Sequence, residues 1–297
     1  MESFTQAVSD WYGEHARDLP WRQPGTSPWA VLVSEIMLQQ TPVPRVVPAY
    51  AAWLTRWPVP AALAADPPAE AVRMWGKLGY PRRALRLHEC AVAITDRHAG
   101  AVPSTVDELL ALPGVGAYTA RAVAAFAFGQ RQPVVDTNVR RFVARAVQGQ
   151  ADAGPPSTTR DLAAVETLLP AEPARAARFA VAAMEVGAVV CTARTPRCQA
   201  CPVRPSCAWL RAGRPAYDGP VKVPQRFAGT DRQVRGLLLD VLRGSADPVG
   251  AADLDIAWPD AAQRARALDA LVADGLIDPL PHGRFALPGD GPPSPRR

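Results

Sequence analysis

Leu112-Pro113-Gly114-Val115-Gly116 separates two stretches of helical periodicity, 106–112 and 117–128, and its reading decides the fold. Two glycines one residue apart permit a tight turn. They also leave backbone N–H groups bare at the start of the following helix, where a phosphate can sit. This is a helix-hairpin-helix pattern spanning 106–128, with Leu112, Gly114, Gly116 and Thr119 on its phosphate-binding side. A purely structural turn between helices reads the same way in isolation. Twenty residues after Gly116 comes Val134-Val135-Asp136-Thr137-Asn138-Val139, an apolar run that delivers Asp136 to the start of another helix. There the helix dipole favours an ionised carboxylate, and Asp136 also reads as a simple N-cap.

Outward from the hairpin, apolar residues recur at helical spacing over 4–12, 31–38, 46–54, 72–78, 85–94, 139–147, 162–169 and 179–190. Ser27-Pro28 reads as an N-cap followed by Pro at N1, while Gly79, Gly129 and Gly149 close periodic stretches. Strand-like alternation is nearly absent before residue 276, so the fold class is mainly α. Between 211 and 230 the sequence RAGRPAYDGPVKVPQRFAGT has no face to bury and reads as a linker, placed at 216–230. Beyond it, amphipathic stretches at 234–242 and 261–273 precede 275–277 and 283–287, which can pair as a hairpin. Helices followed by a hairpin predict a small winged-helix-like module over 231–288, and the tail 289–297 is expected to be disordered.

The length of 297 residues fits two or three domains, and 48% hydrophobic with 21% charged residues describes an ordinary globular protein. No apolar run approaches the roughly 20 residues of a membrane span, and the first turns carry Glu2, Asp10, Glu14, Arg17 and Asp18. A cytoplasmic protein without a membrane partner is expected. The balance of 33 basic against 28 acidic residues gives +5, which mildly favours a polyanion. Lys77 and Lys222 are the only lysines. Genomic base composition accounts for most of that bias, but lysine amine chemistry is left with almost no candidates.

Cys191, Cys198, Cys201 and Cys207 form C-x6-C-x2-C-x5-C, and Cys90 stands apart in a helical stretch as a packing residue. Four thiolates on so short a loop can surround one metal centre. Thiolate chemistry alone fits an iron–sulfur cluster and a four-cysteine zinc site equally, and disulfides are disfavoured in an intracellular-looking chain. Arg194, Arg197, Arg204, Arg211 and Arg214 crowd the loop, as phosphate contacts or as a solvated charge run.

The hairpin, the trailing Asp136 and the cysteine loop together resemble the endonuclease III superfamily of DNA glycosylases over roughly residues 1–215. That resemblance implies a six-helix barrel domain (19–133), an N-terminal helix (1–18) packing with a cluster domain (134–215), and a [4Fe-4S] cofactor on Cys191, Cys198, Cys201 and Cys207. Bifunctional members carry a Lys where this chain has Tyr118, which implies a monofunctional hydrolase without Schiff-base strand cleavage. Ser34-Glu35-Ile36-Met37-Leu38-Gln39-Gln40-Thr41 and Leu19-Pro20-Trp21-Arg22 look like the MutY-type adenine DNA glycosylases of that superfamily. A carboxylic acid on an apolar helix suits this chemistry, because N7 of adenine must be protonated before the purine leaves and burial raises the acid's pKa. By resemblance Glu35 protonates the base and handles the water, and Asp136 stabilises the oxocarbenium-like sugar, with Tyr118 and Asn138 in support. Trp21 and Arg22 line the pocket for the flipped adenine, and Gln40, Thr41, Leu78 and Tyr80 wedge into the duplex.

The implied substrate is double-stranded DNA with adenine opposite 8-oxoguanine or guanine, and the implied enzyme is a monomeric adenine DNA glycosylase of base excision repair, bacterial in type and nucleoid-associated. Two departures stand out. Many relatives place Gln or Glu ten residues before the first cluster cysteine, where this chain has Val181. The usual C-terminal Nudix-like domain has no counterpart in the roughly 70 residues after the linker. Two other readings are a thymine or uracil mismatch glycosylase of the same superfamily, disfavoured by Glu35, and a non-catalytic iron–sulfur DNA-binding regulator, which needs neither Glu35 nor Asp136.

Overall fold

A computed structural model describes residues 2–219 and 226–290. Most stretches of helical periodicity become helices: α1 (Glu2–His15), α2 (Pro28–Leu38), α3 (Val43–Arg56), a short α4 (Pro60–Ala65), α5 (Pro68–Trp75), α6 (Arg82–Arg97), α7 (Val106–Leu110), α8 (Ala117–Phe128), α9 (Thr137–Ala146), α10 (Thr158–Glu166), α11 (Pro173–Val189) and α12 (Ala208–Arg211). Ser27 caps α2 as expected, its hydroxyl accepting from Ala30 N at 3.2 Å. Helix α5 stops at Trp75 rather than continuing to Leu78, because Gly76 adopts φ 50° and ends the turn. Helix α4 is only 6 residues long, too short to show a periodicity.

By contact the chain divides into two compact units: 1–35 with 104–111 and 115–222, and 36–103 with 112–114 and 223–297. In the first unit α11 is the central helix, packing against α1, α8 and α9. Phe142, Phe179, Val186 and Val8 fill its core, with Cys191 and Cys201 packed at the margin. In the second unit α6 packs against α4 and α5. Trp53, Trp57 and Trp75 form an edge-on cluster there, with ring centroids 4.6 and 5.7 Å apart.

The C-terminal module runs α13 (Asp231–Arg243), β1 (Val249–Gly250), α14 (Ala251–Asp255), α15 (Ala261–Ala273), β2 (Asp278–Leu280) and β3 (Arg284–Ala286). Its sheet is antiparallel in the order β1-β3-β2, a winged-helix-like topology. The hairpin forms later than the expected 275–277, because Leu276 and Ile277 turn inward into the module's core. The expectation of disorder from 289 is corrected at its start. Pro288 O accepts from Ala69 N at 2.9 Å, and Asp290 pairs with Arg73, so 288–290 are tied to α5. The remainder of that tail, 291–297, and the 220–225 part of the linker, including Lys222, lie outside the described residues.

Candidate active site and cysteine loop

Helix α2, PWAVLVSEIML, is apolar except for Ser34 and Glu35, and both are buried. Burial pushes the Glu35 carboxyl up to about 7. A hydrogen bond with Tyr118 works against that rise, the charge of Asp136 adds to it, and Arg22 opposes it. Tyr118 itself is pushed far above its usual range, first by burial and then by the two carboxylates, so its phenol stays neutral.

Asp136 is the N-cap of α9. Its carboxylate accepts from Asn138 N at 2.9 Å, Val139 N at 2.7 Å and Asn138 Nδ2 at 2.7 Å. These donors favour ionisation, yet burial outweighs them and the carboxyl still sits above its ordinary value. The expected divergence of the two acids is therefore narrower than a purely dipole-stabilised Asp136 implies. They differ in what holds them: three donors, two of them backbone amides, against one phenol.

Behind Asp136 stands an arginine that the sequence reading missed. Arg141 donates to Asn138 Oδ1 at 2.9 Å, to Gly187 O at 2.6 Å and to Cys191 O at 2.7 Å, joining the aspartate's partner to the first cysteine. Helices α9 and α11 approach so closely that a Cβ on Gly187 would stand 2.5 Å from Asn138 O.

Trp21 is buried in a single 3-10 turn, Pro20–Arg22. Arg22 reaches Glu185 Oε2 at 2.9 Å, while Arg17 contacts both oxygens of Glu185 at 2.6 and 2.8 Å. Glu185 was also missed. Its signal was available: it is the lone charge in the run from 179 to 193, and a buried carboxylate requires a partner. Burial raises its pKa, but the Arg17 hydrogen bond and the two guanidinium charges outweigh that and hold it below the usual carboxylate range.

The proposed wedge residues belong to the second unit. Gln40 and Tyr80 are exposed and both left-handed, at φ 55° and 48°, a conformation that side chains rarely adopt. Thr41 and Leu78 are buried, with Thr41 Oγ1 donating to Leu78 O at 3.3 Å. Arg83, unremarked in the sequence, locks these loops together. It donates to Ile36 O, Met37 O and Gln39 O at 2.8, 3.1 and 2.6 Å, and to Thr41 Oγ1 and Gly79 O, both at 3.0 Å. Its guanidinium also lies over the rings of Trp75 and Tyr80. In the hairpin, Leu112 and Thr119 are buried while Gly114 and Gly116 are exposed. Gly114 has φ 76°, and an added Cβ would stand 2.7 Å from Arg86 Cβ, so glycine is required there.

Cys191, Cys198, Cys201 and Cys207 line one pocket together with Phe142, Arg145 and Trp209. All four are free thiols, and among the described residues no three His, Cys, Asp or Glu side chains converge tightly enough to hold a single ion. Arg145 approaches Cys191 Sγ at 3.7 Å and stacks on Trp209, with its ring centroid 4.9 Å away. An all-sulfur donor set facing a shared cavity with a guanidinium at its edge fits an anionic thiolate-bound cluster. Cys90 is separate, buried in α6 with its thiol pushed up to about 12 by burial, as packing requires.

Residues 33–166 match the HhH-GPD superfamily of base excision DNA repair proteins. The chain is 60% identical over 282 residues to an adenine DNA glycosylase of Mycobacterium tuberculosis, covering 95% of this chain and 92% of the relative. It is 40% identical over 215 residues to a Homo sapiens adenine DNA glycosylase, covering 70% of this chain and 39% of the relative. Among solved structures, a thermostable thymine-DNA glycosylase superposes with a TM-score of 0.64 at 27% identity, over 71% of this chain and 96% of that one. No helix among the described residues is long and apolar enough to cross a membrane.

Proposed function

The chain belongs to the adenine DNA glycosylase family within the HhH-GPD base excision repair superfamily, and we propose that it removes adenine mispaired with 8-oxoguanine or guanine in duplex DNA. The observation that carries this reading is Glu35: a buried carboxyl held near neutral pKa, hydrogen-bonded to Tyr118 and facing Asp136. Such an acid is about half protonated at physiological pH and can deliver its proton to N7 of an extruded adenine. The C1′–N9 bond then breaks with its electron pair leaving on the purine. Positive charge develops on the sugar opposite Asp136, whose anionic form the two α9 amides and Asn138 favour. Glu35, now ionised, accepts a proton from the attacking water, and the water oxygen bonds to C1′.

No lysine performs amine chemistry in this scheme. Tyr118 occupies the hairpin-helix position, and Lys77 is an exposed residue 3.7 Å from Asp240. Trp21 and Arg22 line the base pocket. Exposed Gln40 and Tyr80 enter the duplex, with buried Thr41 and Leu78 holding their loops from beneath, and the hairpin about Leu112, Gly114, Gly116 and Thr119 takes a phosphate. The barrel domain (19–133) and cluster domain (134–215) carry these parts, and the enzyme acts as a monomer beside the nucleoid in the cytoplasm. Cys191, Cys198, Cys201 and Cys207 would hold a [4Fe-4S] cluster, which supplies a rigid anionic centre ordering the loop. Arg145 would screen it, and Arg141 holds the carbonyl of Cys191 and the amide of Asn138.

The test is base release from duplexes carrying adenine opposite 8-oxoguanine, adenine opposite guanine, and thymine opposite guanine, with strand cleavage read before and after alkali. Release from the adenine duplexes, with cleavage appearing only after alkali, is expected. Release from the thymine duplex alone would assign the chain to mismatch repair of pyrimidines, and binding without any release would make it a regulator.

A further inference from the structure

Residues 76–82, which carry Leu78 and Tyr80, form a turn that does not hold its shape by local preference. Gly76, Gly79 and Tyr80 all have positive φ, at 50°, 86° and 48°. A tyrosine in that region persists only where its surroundings keep it there. Thr41 and Arg83 grip the turn at Leu78 O and Gly79 O, from the helical part of the second unit. The C-terminal module belongs to the same unit and reaches the turn as well.

The module's contacts fall at both ends of the turn. At its start, Gly76 N donates to Arg73 O at 3.1 Å, which leaves Val72 O without the donor a continuing helix would give it. Arg243 of α13 supplies one, with Nε at 3.0 Å, and is itself held by Asp240 at 3.1 Å. The same Asp240 lies 3.7 Å from Lys77. At the turn's end, Asp274 just after α15 accepts from Arg82 at 3.2 Å and pairs through its other oxygen with Arg235. Exposed ion pairs add little stability singly. These flank an apolar contact, in which Val72 of α5 is buried in one cluster with Leu239 and Leu242, so their effect is on orientation.

The charge of the module is wrong for a second grip on DNA. Residues 231–290 contain ten aspartates and no glutamate against six arginines and no lysine, a net −4 in a chain that is +5 as a whole. A module that binds phosphates is basic. On α15, the helix that precedes the hairpin, the cations are already matched: Arg264 pairs with Asp255 at 2.7 Å, and Arg266 lies 3.8 Å from Asp231.

We propose that the C-terminal module braces the turn that enters the duplex, with Arg243 and Asp274 as positioning residues that keep Tyr80 in its left-handed conformation. The acidic module acts on DNA through that turn. The inference rests on the glycosylase reading and deepens it by naming what sets the geometry of the side chain that parts the bases.

The experiment uses the full-length protein and a duplex with adenine opposite 8-oxoguanine, carrying 2-aminopurine as the base next to the 8-oxoguanine. Two quantities are read: the fluorescence rise on binding, as the 2-aminopurine loses its stacking, and single-turnover release of adenine at saturating protein. Tyr80→Ala should remove most of the fluorescence rise. The combined R243M and D274N variant is expected to lower the rise by about half or more and to slow release about fivefold to twentyfold. In a Tyr80→Ala background the same two substitutions should change release by less than about twofold, because the side chain they position is gone. Asp269→Asn removes an exposed aspartate of α15 and should leave both quantities as they are. If thermal unfolding shows that the combined variant does not fold, D274N alone should slow release about twofold to threefold, with the same dependence on Tyr80. An equal loss in the Tyr80→Ala background, or unchanged fluorescence and release in a folded variant, overturns the brace. A wild type that binds and raises the fluorescence but releases no adenine overturns the glycosylase reading instead, and the fluorescence of the variants then decides the brace by itself.

Discussion

Glu35 and Glu185 are both glutamates buried on apolar helices of the first unit, and they are pushed in opposite directions. Glu185 faces two guanidiniums, with Arg17 gripping both oxygens and Arg22 adding a third contact. It remains ionised and joins the N-terminal segment to α11. Glu35 has a phenol, a distant cation and a second carboxylate, so burial wins and the proton stays on until about pH 7. The lesson is that burial alone does not define an acid's role. A buried carboxylate given full cationic partners becomes a structural tie, whereas one deprived of them keeps its proton to near neutral pH.

The most severe way to break the contrast is Glu35→Gln, which keeps the shape and removes the proton. Base release is expected to fall by more than about a thousandfold while DNA binding persists, as single-turnover excision and a binding titration would reveal. Raising the carboxyl from 4.5 to about 7 costs the folded state about 3 kcal/mol once the unfolded chain has ionised. That stability is lost as pH rises between those two values. Denaturation at pH 8 should therefore find the Gln variant more stable than wild type by up to about 3 kcal/mol, with no gain below pH 4.

Glu185→Gln should do the reverse. Leaving Arg17 and Arg22 without their anion is expected to destabilise the fold by about 2–4 kcal/mol, a figure reduced for the partial exposure of Arg17. The sign follows from its lowered pKa: the tie contributes stability above about pH 4.5 and loses it as acid titrates the folded carboxylate. If Glu185→Gln instead abolished excision without loss of stability, the division of roles would be wrong.

A milder test is the pH profile. Excision should fall about tenfold per pH unit above about pH 7, as Glu35 loses its proton. Tyr118→Phe removes the hydrogen bond that favours the ionised carboxyl, so the alkaline limb should move upward even as the maximal rate drops. The smallest effect expected is from Gly187→Ala. Its methyl must displace Asn138 and tilt the donors of Asp136, at a cost of about 1–3 kcal/mol in thermal unfolding and a lower rate at unchanged pH dependence.

Much of this is legible in the sequence. The two helices and glycines of the hairpin, the N-cap geometry of Asp136 and the apolar setting of Glu35 are local features, written within one or two turns of sequence. Arg83, Arg141 and Glu185 were not legible, because their roles depend on partners tens of residues away: Ile36 O for Arg83, Cys191 O for Arg141, and Arg17 for Glu185. Glu185 at least carried a warning as the one charge in the apolar run from 179 to 193. Only the start of the tail departs from the expectation, because Pro and Gly imply disorder only when no neighbour claims their carbonyls, and Ala69 claims that of Pro288.

That last attachment has a practical corollary. Arg73 reaches Asp290, Glu70 and the carbonyl of Ser245, Arg243 donates to Val72 O, and Ala69 and Val72 lie in the same apolar cluster as Leu238 and Leu271. Anyone shortening the gene product to its repair core by cutting after the cysteine loop would therefore bare the greasy side of α5 and strand an arginine. A sticky, poorly expressed fragment should be anticipated, and a cut after residue 290 is the safer choice.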